Sequence, residues 1–150
     1  MGAINRRQAF LLGGGFIALT MMPMAADAEP GNDAAELIKK FTGGKEAASG
    51  KISLDLPEIA ENGNTVPLSL VVDSPMTADN YVKEVLFVAD GNPNGGVATL
   101  MFSPLSGKAE ASIRIRLAQT QNVIAIAKMS DGSLFTERKT VKVTIGGCGG

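Results

Sequence analysis

Short apolar runs separated by turn residues make up most of the chain, and this pattern constrains the fold more than any other feature. The clearest run spans residues 112–117, where arginines alternate with branched apolar residues, so that one face meets water and the other faces a core. Seven candidate strands follow one another, at residues 52–56, 66–72, 82–89, 97–102, 113–117, 123–129 and 141–145. We interpret them as half-buried strands of an all-β, immunoglobulin-like antiparallel β-sandwich.

Turn residues separate the candidate strands. Residues 62–64 read Asn-Gly-Asn, residues 90–96 combine aspartate, asparagine, proline and glycine, and Asp131-Gly132 lies between the last two runs. Pro67 falls inside the second candidate strand, and because proline cannot donate a ladder hydrogen bond, we expect that strand to lie at the edge of a sheet. The order of the strands is not readable from the sequence.

A short N-terminal helix is predicted ahead of the strands. Apolar residues recur at helical spacing between residues 33 and 41. Asn32 or Asp33 can cap its start, and Gly43-Gly44 follows its end. After this point the apolar period changes from that of a helix to that of a strand.

The first 28 residues have the features of an export signal. Arg6 and Arg7 precede an apolar run at 10–22, and the small residues around position 26 have the form that signal peptidase accepts. The apolar run is shorter than the roughly 20 residues that a membrane-spanning helix needs. We therefore predict a signal peptide at residues 1–28, a periplasmic mature protein that begins at Glu29, and no stable membrane anchor. Met24-Ala25-Ala26 stays open as a competing cleavage signal.

The paired arginines resemble the twin-arginine class of bacterial export signals, which carry folded proteins across the inner membrane. In that class the apolar residues usually begin two positions after the second arginine, whereas Gln8 and Ala9 both precede Phe10 here. A general secretory signal with two ordinary basic residues stays open as the alternative.

Missing residue types exclude several classes of function. The chain has no histidine, the usual general base at neutral pH and a common metal ligand, and it has one cysteine. Disulfide frameworks and cysteine-based zinc or haem-attachment patterns are thereby excluded within one chain. The formal net charge is -1 and the basic residues are scattered, so we expect no nucleic-acid partner. We predict no metal site, no cofactor and no catalytic activity of the chain's own.

The single cysteine, Cys148, lies on a C-terminal arm that otherwise consists of Gly146, Gly147, Gly149 and Gly150. Cysteine is usually buried, but these neighbours have no side chains that could bury the thiol locally. An unpaired exposed thiol in an oxidising compartment is open to disulfide exchange and overoxidation, so its presence suggests use. We predict a carrier domain at residues 29–145 and a flexible swinging arm at 146–150, which spans at most about 17 Å when extended. No basic residue adjoins Cys148, so we expect partner enzymes to activate it.

Three features of the chain occur together: the twin-arginine-like signal, a β-rich domain that carries Val66-Pro67-Leu68-Ser69-Leu70 and Asp73-Ser74-Pro75-Met76-Thr77, and the ending Gly-Gly-Cys-Gly-Gly. In this combination the chain resembles the SoxY family, a subunit of the bacterial thiosulfate-oxidising (Sox) multienzyme system. The resemblance covers the whole chain, and the terminal pentapeptide is its most specific part. It implies that Cys148 is the carrier cysteine and that the sandwich forms a heterodimer with a second β-rich subunit, SoxZ.

The resemblance also implies a series of partner enzymes. A haem enzyme would couple thiosulfate oxidatively to Cys148 as an S-thiosulfonate. A manganese-dependent hydrolase would then release sulfate and leave a persulfide, and in some organisms a molybdenum–haem sulfane dehydrogenase would oxidise the remaining sulfur. The carrier itself would catalyse none of these steps.

Two other classes of function have to be separated from a covalent carrier. An exported β-sandwich could be a binding or structural domain whose terminal cysteine forms an intermolecular disulfide, and only adduct formation on Cys148 distinguishes that class. A chain that ends in Gly-Gly could instead be activated at its terminal carboxylate, as in ubiquitin-like proteins. That chemistry needs ATP and is intracellular, so the export signal speaks against it, and trimming Gly149-Gly150 would be fatal to it but only impairing to a carrier.

Overall fold

The computed structural model describes residues 32–147, which form one α-helix, eight strands and a 3-10 turn. In chain order these are α1 (Ala34–Thr42), β1 (Ile52–Asp55), β2 (Ile59–Asn62), β3 (Val66–Val72), β4 (Val82–Ala89), β5 (Gly96–Met101), the 3-10 turn (Pro104–Ser106), β6 (Ala109–Ile115), β7 (Gln121–Met129) and β8 (Leu134–Ile145).

The strands form two sheets that pack face to face. A three-stranded antiparallel sheet has β3 between β1 and β6. The second sheet has the order β2-β8-β7-β4-β5, and all its pairs are antiparallel except β2 with β8, which is parallel. The predicted fold class, an immunoglobulin-like β-sandwich with a short N-terminal helix, is confirmed, with one parallel pair at an edge as the departure from an antiparallel arrangement.

The main core lies between the two sheets. Leu68 and Leu70 of β3, Phe87 of β4 and Val123 of β7 are each at most 1% exposed and belong to one apolar cluster. Burying a side chain of this size contributes roughly 1.5–3 kcal/mol. The same burial fixes the strand register, because a slip of one residue would turn these side chains towards water.

A second apolar cluster lies on the outer face of the five-stranded sheet, beneath α1. It contains Leu86 and Val88 from β4 and Ile124 and Ile126 from β7, and the apolar face of the helix packs against it. These two strands are therefore buried on both faces. The interpretation of every strand as half-buried is wrong for β4 and β7, because the helix covers the face that would otherwise meet water.

The helix begins and ends close to its predicted limits. The two candidate capping residues, Asn32 and Asp33, differ in their hydrogen-bond partners. The side chain of Asp33 makes no capping bond, and its Oδ1 accepts the backbone N–H of Gly95 at 2.6 Å. The Oδ1 of Asn32 accepts the N–H of Ala34 at 3.1 Å. Gly43 ends the helix with a φ of 65°. The start of the helix is thereby tied to the loop between β4 and β5.

The strands differ from the prediction by more than two residues in three places. β2 was not predicted, β6 begins at Ala109 rather than residue 113, and β8 begins at Leu134 rather than residue 141. Pro67 lies on β3, the central strand of its sheet, so the prediction of an edge strand is wrong. β1 pairs only with residues 69–72 of β3, so Pro67 lies beyond the end of β1 and has a ladder neighbour on β6 alone.

Candidate functional site

The C-terminal segment leaves the sandwich at the end of β8, between two other pieces of backbone. One is the turn from β2 to β3, which contains Gly63, and the other is the segment that follows β6 at Leu117 and Ala118. Gly146 and Gly147 pass between them. The parallel pairing of β2 with β8 sets this arrangement, since Asn62 lies opposite Ile145, next to Gly63 and Gly146.

Three backbone hydrogen bonds join these segments, and we call the group the arm-root clamp. The N–H of Gly63 donates to the carbonyl of Ile145 at 2.8 Å, and the N–H of Leu117 donates to the carbonyl of Gly63 at 2.8 Å. The N–H of Gly147 donates to the carbonyl of Leu117 at 2.9 Å. At a net contribution of about 1 kcal/mol for each bond, the clamp is a modest but specific restraint.

Glycine is required in the clamp because the backbones approach so closely. A Cβ on Gly63 would collide with the carbonyl oxygen of Leu117, and a Cβ on Gly146 would collide with that of Ala118. A Cβ on Gly147 would lie 2.8 Å from the carbonyl oxygen of Gly63, closer than real Cβ contacts come. Any side chain at these positions would push the segments apart.

The core and one buried amide hold Leu117 in place. The side chain of Leu117 is fully buried at 0% exposure. The amide of Asn92 bonds to both of its neighbours, since its Nδ2 donates to the carbonyl of Arg116 and its Oδ1 accepts the N–H of Ala118, each at 2.9 Å. Asn92 is 4% exposed, and its Oδ1 also accepts the Nε2 of Gln121 at 2.7 Å. The carbonyl that receives Gly147 is therefore fixed from the sandwich side.

Sequence reasoning did not identify Gly63 or Asn92 as site residues. Both lie in turns that were recognised as turns, at residues 62–64 and 90–96. The contacts of Gly63 with the arm, and those of Asn92 with Arg116 and Ala118, depend on which strands are neighbours, and no local signal in the sequence carries that information.

The structure describes only some of the predicted site residues. Gly146 and Gly147 are described, and they have the backbone contacts given above. Cys148, Gly149 and Gly150 lie outside the described residues. So do Arg6, Arg7 and the whole predicted signal peptide at 1–28, and these assignments remain predictions.

Several exposed residues adjoin the clamp in the sequence; most are uncharged, and Arg116, next to Leu117, is a charged one. Asn64, Gln119, Thr120 and Ile145 are all exposed, and Ile145 is 67% exposed. The backbone N–H of Val143 donates to the Oγ1 of Thr120 at 3.0 Å, which joins this part of the chain to β8.

Across residues 32–147 no group of three or more histidine, cysteine, aspartate or glutamate side chains could hold a metal ion. Over the same described stretch, no helix combines the length and the apolar character needed to cross a membrane.

The family model described as "Sulfur oxidation protein SoxY" matches residues 38–148, most of the chain, and the match ends at the cysteine. No curated protein sequence matched the chain.

Solved structures with a similar fold include a sulfur carrier and superoxide reductases. The structure of the sulfur carrier protein SoxY from Chlorobium limicola f thiosulfatophilum has 28% identity and a TM-score of 0.62, covering 74% of this chain and 96% of that one. A superoxide reductase (neelaredoxin) from Ignicoccus hospitalis has 18% identity and a TM-score of 0.55, covering 63% of this chain and 80% of that one.

A putative superoxide reductase from Thermotoga maritima has 16% identity and a TM-score of 0.52, covering 69% of this chain and 89% of that one. At such identities the likeness to the superoxide reductases extends to the fold alone. The family match covers most of the chain and includes its single cysteine. The chain therefore belongs to the SoxY family of sulfur oxidation proteins.

Proposed function

We propose that this chain carries sulfur intermediates covalently on Cys148 while separate enzymes process them, as a step in thiosulfate oxidation in the periplasm. The observation that carries the proposal is the family match, which runs to Cys148, the single cysteine of the chain. The similar structure from Chlorobium limicola is that of a protein named as a sulfur carrier. The predicted signal peptide supports export to the periplasm.

The arm-root clamp supports a carrier because it fixes the residue that precedes the cysteine. Gly147 is bonded to Leu117, whose side chain is buried in the core, so the last described residue has a defined position on the body. A tether with a defined origin keeps a bound intermediate at a high effective concentration near any enzyme that docks on the body. The intermediate is then handed on without diffusing away.

The chemistry on the thiol divides between the carrier and its partners. Coupling joins the Cys148 sulfur to the sulfane sulfur of thiosulfate, with loss of the thiol proton and of two electrons, which a haem enzyme accepts. Water then attacks the sulfonate sulfur in a manganese-dependent hydrolase, which releases sulfate and two protons and leaves a persulfide on Cys148. A molybdenum–haem sulfane dehydrogenase is a further partner for the remaining sulfur. The chain supplies the nucleophile and no catalytic group, and a SoxZ-like β-rich subunit forms a heterodimer with it.

The direct test is replacement of the thiol. Cys148→Ser should abolish thiosulfate-dependent turnover in an assay with the partner enzymes, while the thermal unfolding midpoint stays within about 1 °C of that of the wild type because the last strand ends three residues earlier, at Ile145. Peptide mass spectrometry of wild-type protein incubated with thiosulfate and the haem enzyme should give a thiosulfate adduct on Cys148. Turnover that survives the substitution would rule the proposal out. A disulfide-linked species on non-reducing electrophoresis without any thiosulfate adduct would favour the alternative structural or binding domain.

A further inference from the structure

We infer that β6, the free edge of the three-stranded sheet, pairs with β6 of a second copy of this chain across a two-fold axis at Ser112. The pairing joins two chains in one assembly and does not depend on the chemistry at Cys148. Three features of the molecule carry it: the backbone groups that β6 leaves unpaired, the placement of its charged residues, and the apolar side of the sandwich that it borders.

The first feature is the phase of the backbone ladder along β6. The strand pairs with β3 on one side and is the last strand of its sheet. On the other side of β3, the N–H of Asp73 donates to the carbonyl of Lys51 at 2.8 Å, and bonded residues alternate along an antiparallel strand. The even-numbered residues of β3 therefore bond to β6, and they lie opposite its odd-numbered residues. Glu110, Ser112 and Arg114 thus direct their N–H and C=O groups to the free edge.

The second feature is the placement of charge on these same residues. Glu110 and Arg114 lie two positions to either side of Ser112, and all three side chains are exposed. Their neighbours on β3, Val71 beside Glu110 and Pro67 beside Arg114, are uncharged. Within residues 32–147 neither Glu110 nor Arg114 forms an ion pair. Both charges are therefore available to a strand that adds at the edge.

An antiparallel copy of β6 uses both features in one register. With Ser112 opposite Ser112 of the copy, Glu110 lies opposite Arg114 of the copy, and Arg114 lies opposite its Glu110. These are the residues with free backbone groups, so each pair exchanges two hydrogen bonds and opposite charges meet at both ends. One step outward, Lys108 and Arg116 lie beyond the strand and are both basic, so repulsion confines the pairing to β6.

This symmetry identifies a second copy as the occupant. A two-fold dimer requires a patch that is complementary to itself, and such dimers are the commonest protein assemblies. Among the edge strands of the two described sheets, β6 has charges that complement their own reverse order. β1 and β2 have four residues each, with one acidic residue apiece, Asp55 and Glu61, and β5 has no charge. An unrelated partner strand would not require the order found in β6.

The third feature is the open side of the sandwich, where β5 of the other sheet faces β6. Val97 and Ala98 of β5 line one cleft together with Ile113 and Ile115 of β6. Three of these residues, Val97, Ala98 and Ile113, are only partly buried although they pack against the main core. Apolar surface of this kind marks an interaction site when it is contiguous. A second copy that pairs through β6 covers this side.

Charge reversal tests the pairing. The mature chain is kept reduced, so that Cys148 cannot cross-link two copies, and its mass is measured by sedimentation velocity, alone and in complex with the SoxZ-like subunit. Glu110→Arg places arginine opposite Arg114, and Arg114→Glu places glutamate opposite Glu110. Each should raise the dimer dissociation constant about a hundredfold or more. Both side chains are exposed, so both variants should fold, which the thermal midpoint checks.

Asp55→Arg is the matched control, because it reverses an exposed acidic residue on β1, the other edge of the same sheet. It should leave the dimer intact. Two combinations should restore the dimer that the single variants lose. In Glu110→Arg/Arg114→Glu each arginine again lies opposite a glutamate, and in an equimolar mixture of the two single variants a mixed dimer pairs opposite charges.

Recovery in both combinations would establish antiparallel self-pairing in this register. A wild-type chain that is monomeric alone and present once in the complex would overturn the proposal. So would a dimer that both single variants retain, dissociation of Asp55→Arg to the same extent, or dissociation of the single variants without recovery in either combination. Loss of the wild-type dimer when the SoxZ-like subunit is added would also overturn it and assign the edge to that subunit. Adduct formation on Cys148 tests the carrier function separately.

Discussion

Two turns that look alike in the sequence have different roles in the fold. Residues 62–64 and Asp131-Gly132 each combine an Asx residue with glycine between two strands. Gly132 has a φ of 85° and open space around the position of a Cβ, so it serves the geometry of a tight turn. Gly63 is buried, and a Cβ there would strike the backbone of Leu117 and lie 2.7 Å from the nitrogen of Gly147.

The two turns also differ in what stabilises them. The turn at Gly132 is held by its own residues, since Oδ1 of Asp131 accepts the N–H of Ser133 at 2.8 Å and its hydroxyl at 2.6 Å. The turn at Gly63 also has a local bond, from the N–H of Asn64 to Oδ1 of Asn62 at 3.0 Å, but in addition distant segments hold it, through bonds to Ile145 and Leu117. Glycine is thus needed for conformation in one turn and for close approach in the other. Only the second turn determines where the arm begins.

Removing the Asn92 side chain should have the largest effect on stability. Asn92→Ala leaves the carbonyl of Arg116 and the N–H of Ala118 without their buried partner, so we expect a loss of about 3 kcal/mol in the free energy of unfolding, measured by urea denaturation. Amide hydrogen exchange should accelerate at Leu117 and Gly147 by more than the global loss explains, because the carbonyl of Leu117 is no longer held from both sides.

Asn122→Ala is the matched control for Asn92→Ala. The Asn122 amide donates to Asp90 at 2.7 Å and accepts from Thr140 at 2.7 Å, away from the clamp. It should cost less stability and leave the exchange of Gly147 unchanged relative to the global rate. Equal acceleration at Gly147 in both variants would mean that Asn92 has no specific connection with the arm.

Adding a methyl group at Gly63 should have the next largest effect. Gly63→Ala forces apart the backbones that meet there, and overpacking of this kind costs about 1–3 kcal/mol. The amide of Gly147 should lose its protection at the same time. Differential scanning fluorimetry and amide exchange by NMR measure the two effects.

Gly132→Asn separates the two uses of glycine. Asparagine tolerates a positive φ and the site has room for it, so the cost should stay below about 1 kcal/mol. Gly63→Asn should be at least as damaging as Gly63→Ala, because the obstacle there is space. A tolerated Gly63→Asn would show that the two turns are alike after all.

The smallest effect is expected at the other turn, at Asp131. The hydrogen bond from the Ser133 hydroxyl, followed by that from the Ser133 N–H, lowers the pKa of the Asp131 carboxyl below its ordinary value of 3.8. Because the folded-state pKa is the lower one, the ionised carboxylate adds stability that is present above the unfolded pKa and lost as the pH falls through the folded pKa. Since the group is fully exposed, the effect should be small.

Asp131→Asn should therefore destabilise slightly at pH 7 and less at about pH 3, as measured by urea unfolding at both values. Asp55→Asn, at an exposed residue of β1, changes the net charge equally and serves as the control. A difference from the wild type that is the same at both pH values would contradict the role of the Ser133 bonds. In neither variant should the exchange of Gly147 change.

The sequence predicts the sandwich well where alternation is strong. β6 ends at Ile115, two residues before the predicted strand does, but the predicted alternation holds, with Arg114 and Arg116 exposed and Ile115 and Leu117 buried. β2 was not predicted because only Ala60 of its four residues is buried and because the strand it pairs with, β8, is far away in the sequence. The first half of β8 was not predicted because the strand is polar on both faces from Glu137 to Thr140.

The candidate site, like the fold, could be predicted only in part from the sequence. The chemistry of the arm could be predicted because it depends on residue type, one thiol among glycines in the pentapeptide at 146–150. The clamp could not be predicted, because it depends on β2 lying parallel to β8 and on Asn92 reaching Arg116 and Ala118 across the end of the sandwich. Long-range contacts of this kind leave no local pattern.

The intact mass of the protein isolated from its native host during growth on thiosulfate tests the central claim most directly. Covalent carriage on Cys148 predicts species heavier than the bare mature chain by sulfur-containing increments, which a thiol reductant removes and which map to the C-terminal peptide. A single unmodified mass under these conditions, or increments that map away from Cys148, would contradict it.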